Sequence, residues 1–115
     1  MFLNSENKQQ LRKERVQLNV KMANQLGAKF ESLGIKRKSV LIVSADLSDL
    51  YQYADDIRKY IELLLETPSS DLEKILELSV YLKVASGEMK DHIAHSRKPL
   101  EYIADFCSDK AVKKN

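Results

Sequence analysis

Between Val40 and Leu65 the residues Val40, Val43, Leu47, Leu50, Ala54, Ile57, Ile61 and Leu64 recur at alternating gaps of three and four. That spacing traces one narrow apolar stripe along a helix, with the seam period of a coiled coil. A stripe this long is unstable in water, so the rest of the chain must supply helices of similar length to cover it. The fold class that follows is all-α.

Composition fits. At 115 residues the chain has room for one domain, residues 1–115, with a single modest core. Its 43% apolar and 31% charged residues, with three glycines, two prolines and no tryptophan, suit a charged helical protein rather than a β-sandwich or a disordered tail. No apolar run approaches the roughly 20 residues that cross a bilayer. The start, Met1 to Glu6, lacks the basic and apolar regions of a secretory leader. These features predict a cytoplasmic protein with no membrane partner. The single cysteine, Cys107, excludes an internal disulfide or a multi-thiolate metal site, and on an amphipathic segment it reads as a small buried hydrophobe.

Charge is segregated along the chain. Nine basic residues fall between Lys8 and Lys38, and nine acidic residues between Asp46 and Glu77. A basic first helix beside an acidic second one would be mutually neutralising, a reading that competes with a phosphate-binding surface.

The chain then divides into helices. Asn4 or Ser5 caps a first helix along which Leu11, Leu18, Met22, Leu26, Phe30 and Leu33 recur, and Val16 and Val20, off that stripe, suggest a second neighbour. Gly34 ends it, with Ile35 as the hydrophobic residue beyond the cap, while Gly27 inside it weakens the helix and permits close approach of a neighbour. The second helix runs from about Ser39, a candidate cap, to about Glu66, where Pro68 disfavours helical geometry at Thr67. Val40 to Val43 is β-prone, and Asp46 or Ser48 could cap a helix starting later; a lone strand would lack a partner within the chain, so helix is expected, with strand pairing between chains as the alternative.

Ser70 with Glu73 forms a capping box for the third helix, whose stripe is Leu72, Ile75, Leu78, Leu82, Ala85, Met89 and Ile93. Leu76, Val80 and Val84 climb its other side, and that second apolar row needs a cover of its own. Pro99 is expected to start a short fourth helix, Leu100 to Cys107, as one candidate cover. Residues 1–4 and 110–115 read as frayed ends. The expected architecture is an antiparallel up-down-up bundle of three long helices with a short C-terminal fourth.

Little in the sequence points to chemistry. Glu88, Asp91, His92 and His95 lie at helical spacing and could bind a metal, but di-metal bundles need inward carboxylates on facing helices. With Met89 and Ile93 towards the core, Asp91 and His95 face away, which predicts loose pairing along a solvated helix and no metal or cofactor. The serines lack a triad histidine, and no glycine-rich phosphate loop is present. Tyr51, Tyr53, Tyr60 and Tyr81 read as edge tyrosines with wet hydroxyls.

The expected function is therefore a non-enzymatic interaction module, a small adaptor or regulator that binds a protein partner or forms a homodimer through Leu76, Val80 and Val84. The alternative is a nucleic-acid-binding accessory protein whose phosphate contacts are Arg12, Arg15, Lys36, Arg37 and Lys38.

Overall fold

A computed structural model describes residues 5–113, which form three helices: α1 (Ser5–Glu31), α2 (Arg37–Glu66) and α3 (Leu72–Lys113). The all-α expectation holds, with no strand among the described residues. The expected cap at Asn4 and the chain end at 114–115 lie outside the described residues.

Local rules account for most boundaries. Beyond the end of α1, Gly34 donates its N–H to Glu31 O at 3.0 Å and adopts φ 89°, a conformation glycine takes without a Cβ penalty. Ile35 is buried just past that turn. Helix α2 stops at Glu66 because Thr67, preceding Pro68, is extended.

Two caps differ from expectation. Helix α2 begins at Arg37, after an extended Lys36 that makes no side-chain cap bond, so Ser39 lies inside the first turn. At α3 the cap is Asp71 rather than Ser70: its Oδ1 accepts the Lys74 N–H at 3.2 Å, and a carboxylate there is favoured by the positive helix end.

There is no separate fourth helix, because α3 continues through Pro99 to Lys113. A proline inside a helix leaves the carbonyl four residues earlier, here His95 O, without its backbone donor. Buried Ser96 on one side and buried Ile103 on the other hold both flanks in place, so the helix persists. The segment Leu100 to Cys107 therefore extends α3 and does not fold back over Val80 and Val84. The last residues before Lys113 are helical as well, and Cys107 is exposed rather than buried.

Consecutive helices run antiparallel. Along α2, Val40 and Ser44 lie next to Gly27 of α1, Ser48 meets Asn19, and Asp56 meets Arg15. On α3, Phe106 packs by the α1–α2 turn, His95 meets Asp46, and Tyr81 meets Tyr60. Helices α1 and α3 both pack on α2 and make no close backbone approach to each other.

The outcome is an open array rather than a closed bundle. Ser44 and Ser48 face α1, whereas Asp46 between them faces α3. Residues two apart on a helix point about 200° apart, so the two neighbours occupy opposite sides of α2. Val16 and Val20, for which a second neighbour of α1 was expected, are exposed. The 42 residues of α3 span about 63 Å and set the longest dimension of the molecule, 62 Å. The radius of gyration, 18.4 Å, compares with about 13 Å for a compact chain of this length.

The apolar core is small: Leu78 and Ala85 are buried along α3, and its main cluster sits at the α1–α2 turn. Ile35, Val40, Val43 and Ile103 are buried there, with Phe30, Leu33, Leu47 and Phe106 packed around them. This cluster explains why the β-prone Val40 to Val43 is helical: only helical spacing turns Val40 and Val43 into the same core. Lys110 clips the end of α3 to the turn, donating from Nζ to Leu33 O at 2.6 Å. No helix among the described residues is long and apolar enough to cross a membrane.

Candidate functional site

Midway along α2 the interior becomes polar. Asp46, Ser44 and Ser48 are buried on α2, and Ser96 is buried on α3. Asp46 lies one residue before Leu47 of the apolar stripe, which turns its carboxylate towards α3.

Two histidines meet that carboxylate. His92 Nδ1 lies 3.0 Å from Asp46 Oδ1, and His95 Nδ1 lies 2.6 Å from Asp46 Oδ2. The Asp46 side chain is only 7% exposed. An ionised carboxylate can only accept, so each ring donates from Nδ1 and is held in that tautomer. The spacing of three along α3 puts both rings on the flank towards α2, one turn apart.

The cluster continues towards α1. His92 Nε2 stands 3.7 Å from Asp49 Oδ2, and Asn19 of α1 donates from Nδ2 to Asp49 Oδ1 at 2.7 Å. Ser48 donates to Asn19 O at 2.8 Å and also contacts Asn19 Oδ1. A polar layer therefore links the three helices. Tyr53 packs its ring 5.6 Å from His92, and its phenol pKa is raised, first by burial and then by the negative charges of Glu88 and Asp49. Tyr53 stays a neutral hydrogen-bonding group through the physiological range.

The expected loose pairing of Glu88 and Asp91 with the histidines along one solvated helix is not what forms. The histidines turn instead to Asp46, because His92 lies on the flank of α3 that packs on α2, with buried Ala85, Ser96 and Ile103. Asp46 itself reads in the sequence only as a possible helix cap, and its partners lie 46 and 49 positions away. The single local signal is a carboxylate directly beside the apolar stripe residue Leu47. The chemistry available is register fixing through a satisfied buried carboxylate, and an outward Nε2 on His95, whose side chain is 66% exposed. Among the described residues no group of three or more His, Cys, Asp and Glu side chains is placed to hold a metal ion. Here the donor atoms face one another through hydrogen bonds rather than a shared centre.

The apolar row of α3 lies elsewhere. Leu76, Val80 and Val84 are 65%, 47% and 58% exposed along the side turned away from α2. The basic candidates are separated: Arg12 and Arg15 lie in the first half of α1, while Lys36, Arg37 and Lys38 are exposed at the turn, roughly 30 Å away at 1.5 Å per residue. Arg15 is engaged by Asp56, donating from Nη1 at 2.8 Å, with a second contact from Nη2. On α2 Asp55 takes Arg58 and Lys59 from its own helix, which lowers its pKa through their hydrogen bonds. Neutralisation is thus partly between α1 and α2 and partly within α2.

Compared with family models, curated proteins and solved structures, the chain matches none.

Proposed function

We propose that this chain is a non-enzymatic helical interaction module that associates with a second copy of itself, α3 supplying uncovered apolar side chains. The observation that carries the reading is the exposure of Leu76, Val80 and Val84 along the side of α3 turned away from α2, with no close backbone approach of α1 to α3 among the described residues. Rows of this kind on a long helix are ordinarily covered by another helix. The test is molar mass in solution by light scattering. Twice 13.2 kDa is expected for the native chain, with a shift towards the single-chain mass when Leu76, Val80 and Val84 are replaced together by Asp; a native chain at the single-chain mass at every concentration rejects the reading.

A second reading, sequence-independent phosphate binding, is favoured by one observation. Among the described residues no ion pair holds Arg12, Lys36, Arg37 or Lys38, and the last three are adjacent and exposed. Binding of this kind falls steeply with salt. Failure to retard duplex DNA or RNA at low salt rejects it.

A further inference from the structure

The two open sides of α2 are chemically opposite. On one side Asp49, Tyr53, Asp56 and Tyr60 reach Asn19, His92, Arg15 and Tyr81 across the helix interfaces. On the other, Leu47, Leu50, Ala54, Ile61 and Leu65 fall within an arc of about 60° at 100° per residue, with Arg58 at its edge paired to Asp55 and Glu62.

That second side is a ridge between two grooves. Towards α1 the groove is lined by Met22 and Leu26 with Leu47 and Tyr51. Towards α3 it is lined by Ile93, Leu100 and Ala104 with Leu50. Its boundary on the α3 side carries Lys90, Arg97 and Glu101, of which the last two stand 3.4 Å apart and offset each other's charge. Much of the apolar surface is in water: Ile93 is 53% exposed, Ile61 46% and Leu65 82%.

The open array exposes more surface than a compact chain of its mass. The chain exposes 8777 Å², whereas a compact monomer of its 13.2 kDa mass exposes about 6,400 Å². The excess over the whole chain, roughly 2,400 Å², is large enough to contain the ~800 Å² that each partner gives to a standard interface. A ridge flanked by two grooves also complements itself, since a copy turned over and displaced by half a helix spacing seats ridge in groove. Closed two-fold pairs require this self-complementarity.

We infer that a second copy of this chain stacks on the apolar side of the array, the α2 ridge of each protomer lying in the α2–α3 groove of the other. The inference rests on the self-association proposed above but is an alternative to its interface through the outer edge of α3, centring it instead on Leu50, Ile61 and Ile93. By helical position Leu76 then borders the interface, and Val80 and Val84 lie outside it.

The experiment is sedimentation equilibrium on the full chain and on Ile61→Asp, Ile93→Asp and Val84→Asp, with circular dichroism to confirm helicity. Ile61 and Ile93 are exposed enough in the single chain for Asp to be tolerated there. A dimeric native chain whose dissociation constant rises at least about 100-fold with either Ile→Asp change and little with Val84→Asp supports the inference, as expected for a charge forced into an apolar interface. A dimer broken by Val84→Asp and untouched by both Ile→Asp changes overturns it and leaves self-association through the α3 edge standing. A monomeric native chain overturns both. Should the Asp variants lose helicity, a spin label on Ile93→Cys in a Cys107→Ser background decides the matter: immobilisation that increases with protein concentration supports the inference, and a label equally mobile at all concentrations overturns it.

Discussion

Asp46 and His95 are 49 positions apart in the chain and 2.6 Å apart in space, joined by a hydrogen bond from the imidazole Nδ1 to a carboxylate that is almost wholly buried. The same carboxylate takes His92 on its other oxygen, so one α2 side chain fixes the register of α2 against α3. It adds to the apolar contacts on either side of it, the cluster at the α1–α2 turn and buried Ala85 and Leu78 further along α3.

Asp46→Ala is expected to destabilise the fold by about 1–3 kcal/mol, the range for stranding buried polar groups. His95→Ala should cost less, since that ring is mostly solvated and its loss leaves Asp46 with His92. Urea unfolding followed by circular dichroism reads both. An Asp46→Ala variant as stable as the native chain would mean that the polar layer holds nothing.

Ser44 presents the opposite case. Its Oγ is buried without a hydrogen-bond partner among the described residues, 3.7 Å from where a Cβ on Gly27 would lie. Ser44→Ala removes the stranded hydroxyl, keeps the Cβ and improves helix propensity. A gain of about 1 kcal/mol is expected, seen as a higher urea midpoint with unchanged slope. A loss would reveal that the hydroxyl has a partner.

Two glycines should respond with opposite signs. Gly87 lies inside α3 with open space around the position of a Cβ, so Gly87→Ala should stabilise by about 0.5–1 kcal/mol. Gly34 has φ 89°, which an alanine adopts only under strain, and Gly34→Ala should destabilise. Thermal melts of the two variants check the pair; a shift in the same direction for both would contradict the assigned backbone.

These contrasts show which features the sequence could reveal. The stops at Gly34 and Thr67 follow from residue chemistry within a few positions, and both are visible in the chain. The helicity of Val40 to Val43 was legible because no partner strand exists. Pro99 was misleading: proline suits a helix start, but whether it begins a helix or interrupts one depends on Ser96 and Ile103 packing on α2, which is tertiary information. The open edge between α1 and α3 is of the same kind. Periodicity shows that Val16, Val20, Val80 and Val84 want cover, and says nothing of whether it comes from the same chain. The Asp46 cluster is the least legible feature, since it depends on the register of helices whose spacing patterns tolerate several.

Alkaline pH should weaken the fold through its half-buried phenols. Burial raises the pKa of Tyr60 above the ordinary 10.0, and the negative charge of Asp56 adds to it. Tyr53 shifts the same way. With the folded pKa above the unfolded one, the unfolded chain loses its proton first, so stability falls as pH rises past about 10 and continues to fall until the folded phenol also ionises. Tyr60→Phe should flatten this decline, measured as the urea midpoint from pH 8 to 11; an unchanged slope would place the loss on other groups.

Pro99→Ala tests whether α3 is one helix. The alanine restores an N–H for His95 O and removes the ring that crowds that turn, and proline is roughly 3 kcal/mol worse than alanine within a helix. Part of the gain is cancelled because proline also restricts the unfolded chain. A net stabilisation of about 1–2 kcal/mol is expected, with slower hydrogen exchange at residues 97–103. If the proline instead began a separate helix, its fixed φ would favour that start and its missing N–H would cost nothing. Pro99→Ala would then be neutral or destabilising, and that result would divide α3 in two.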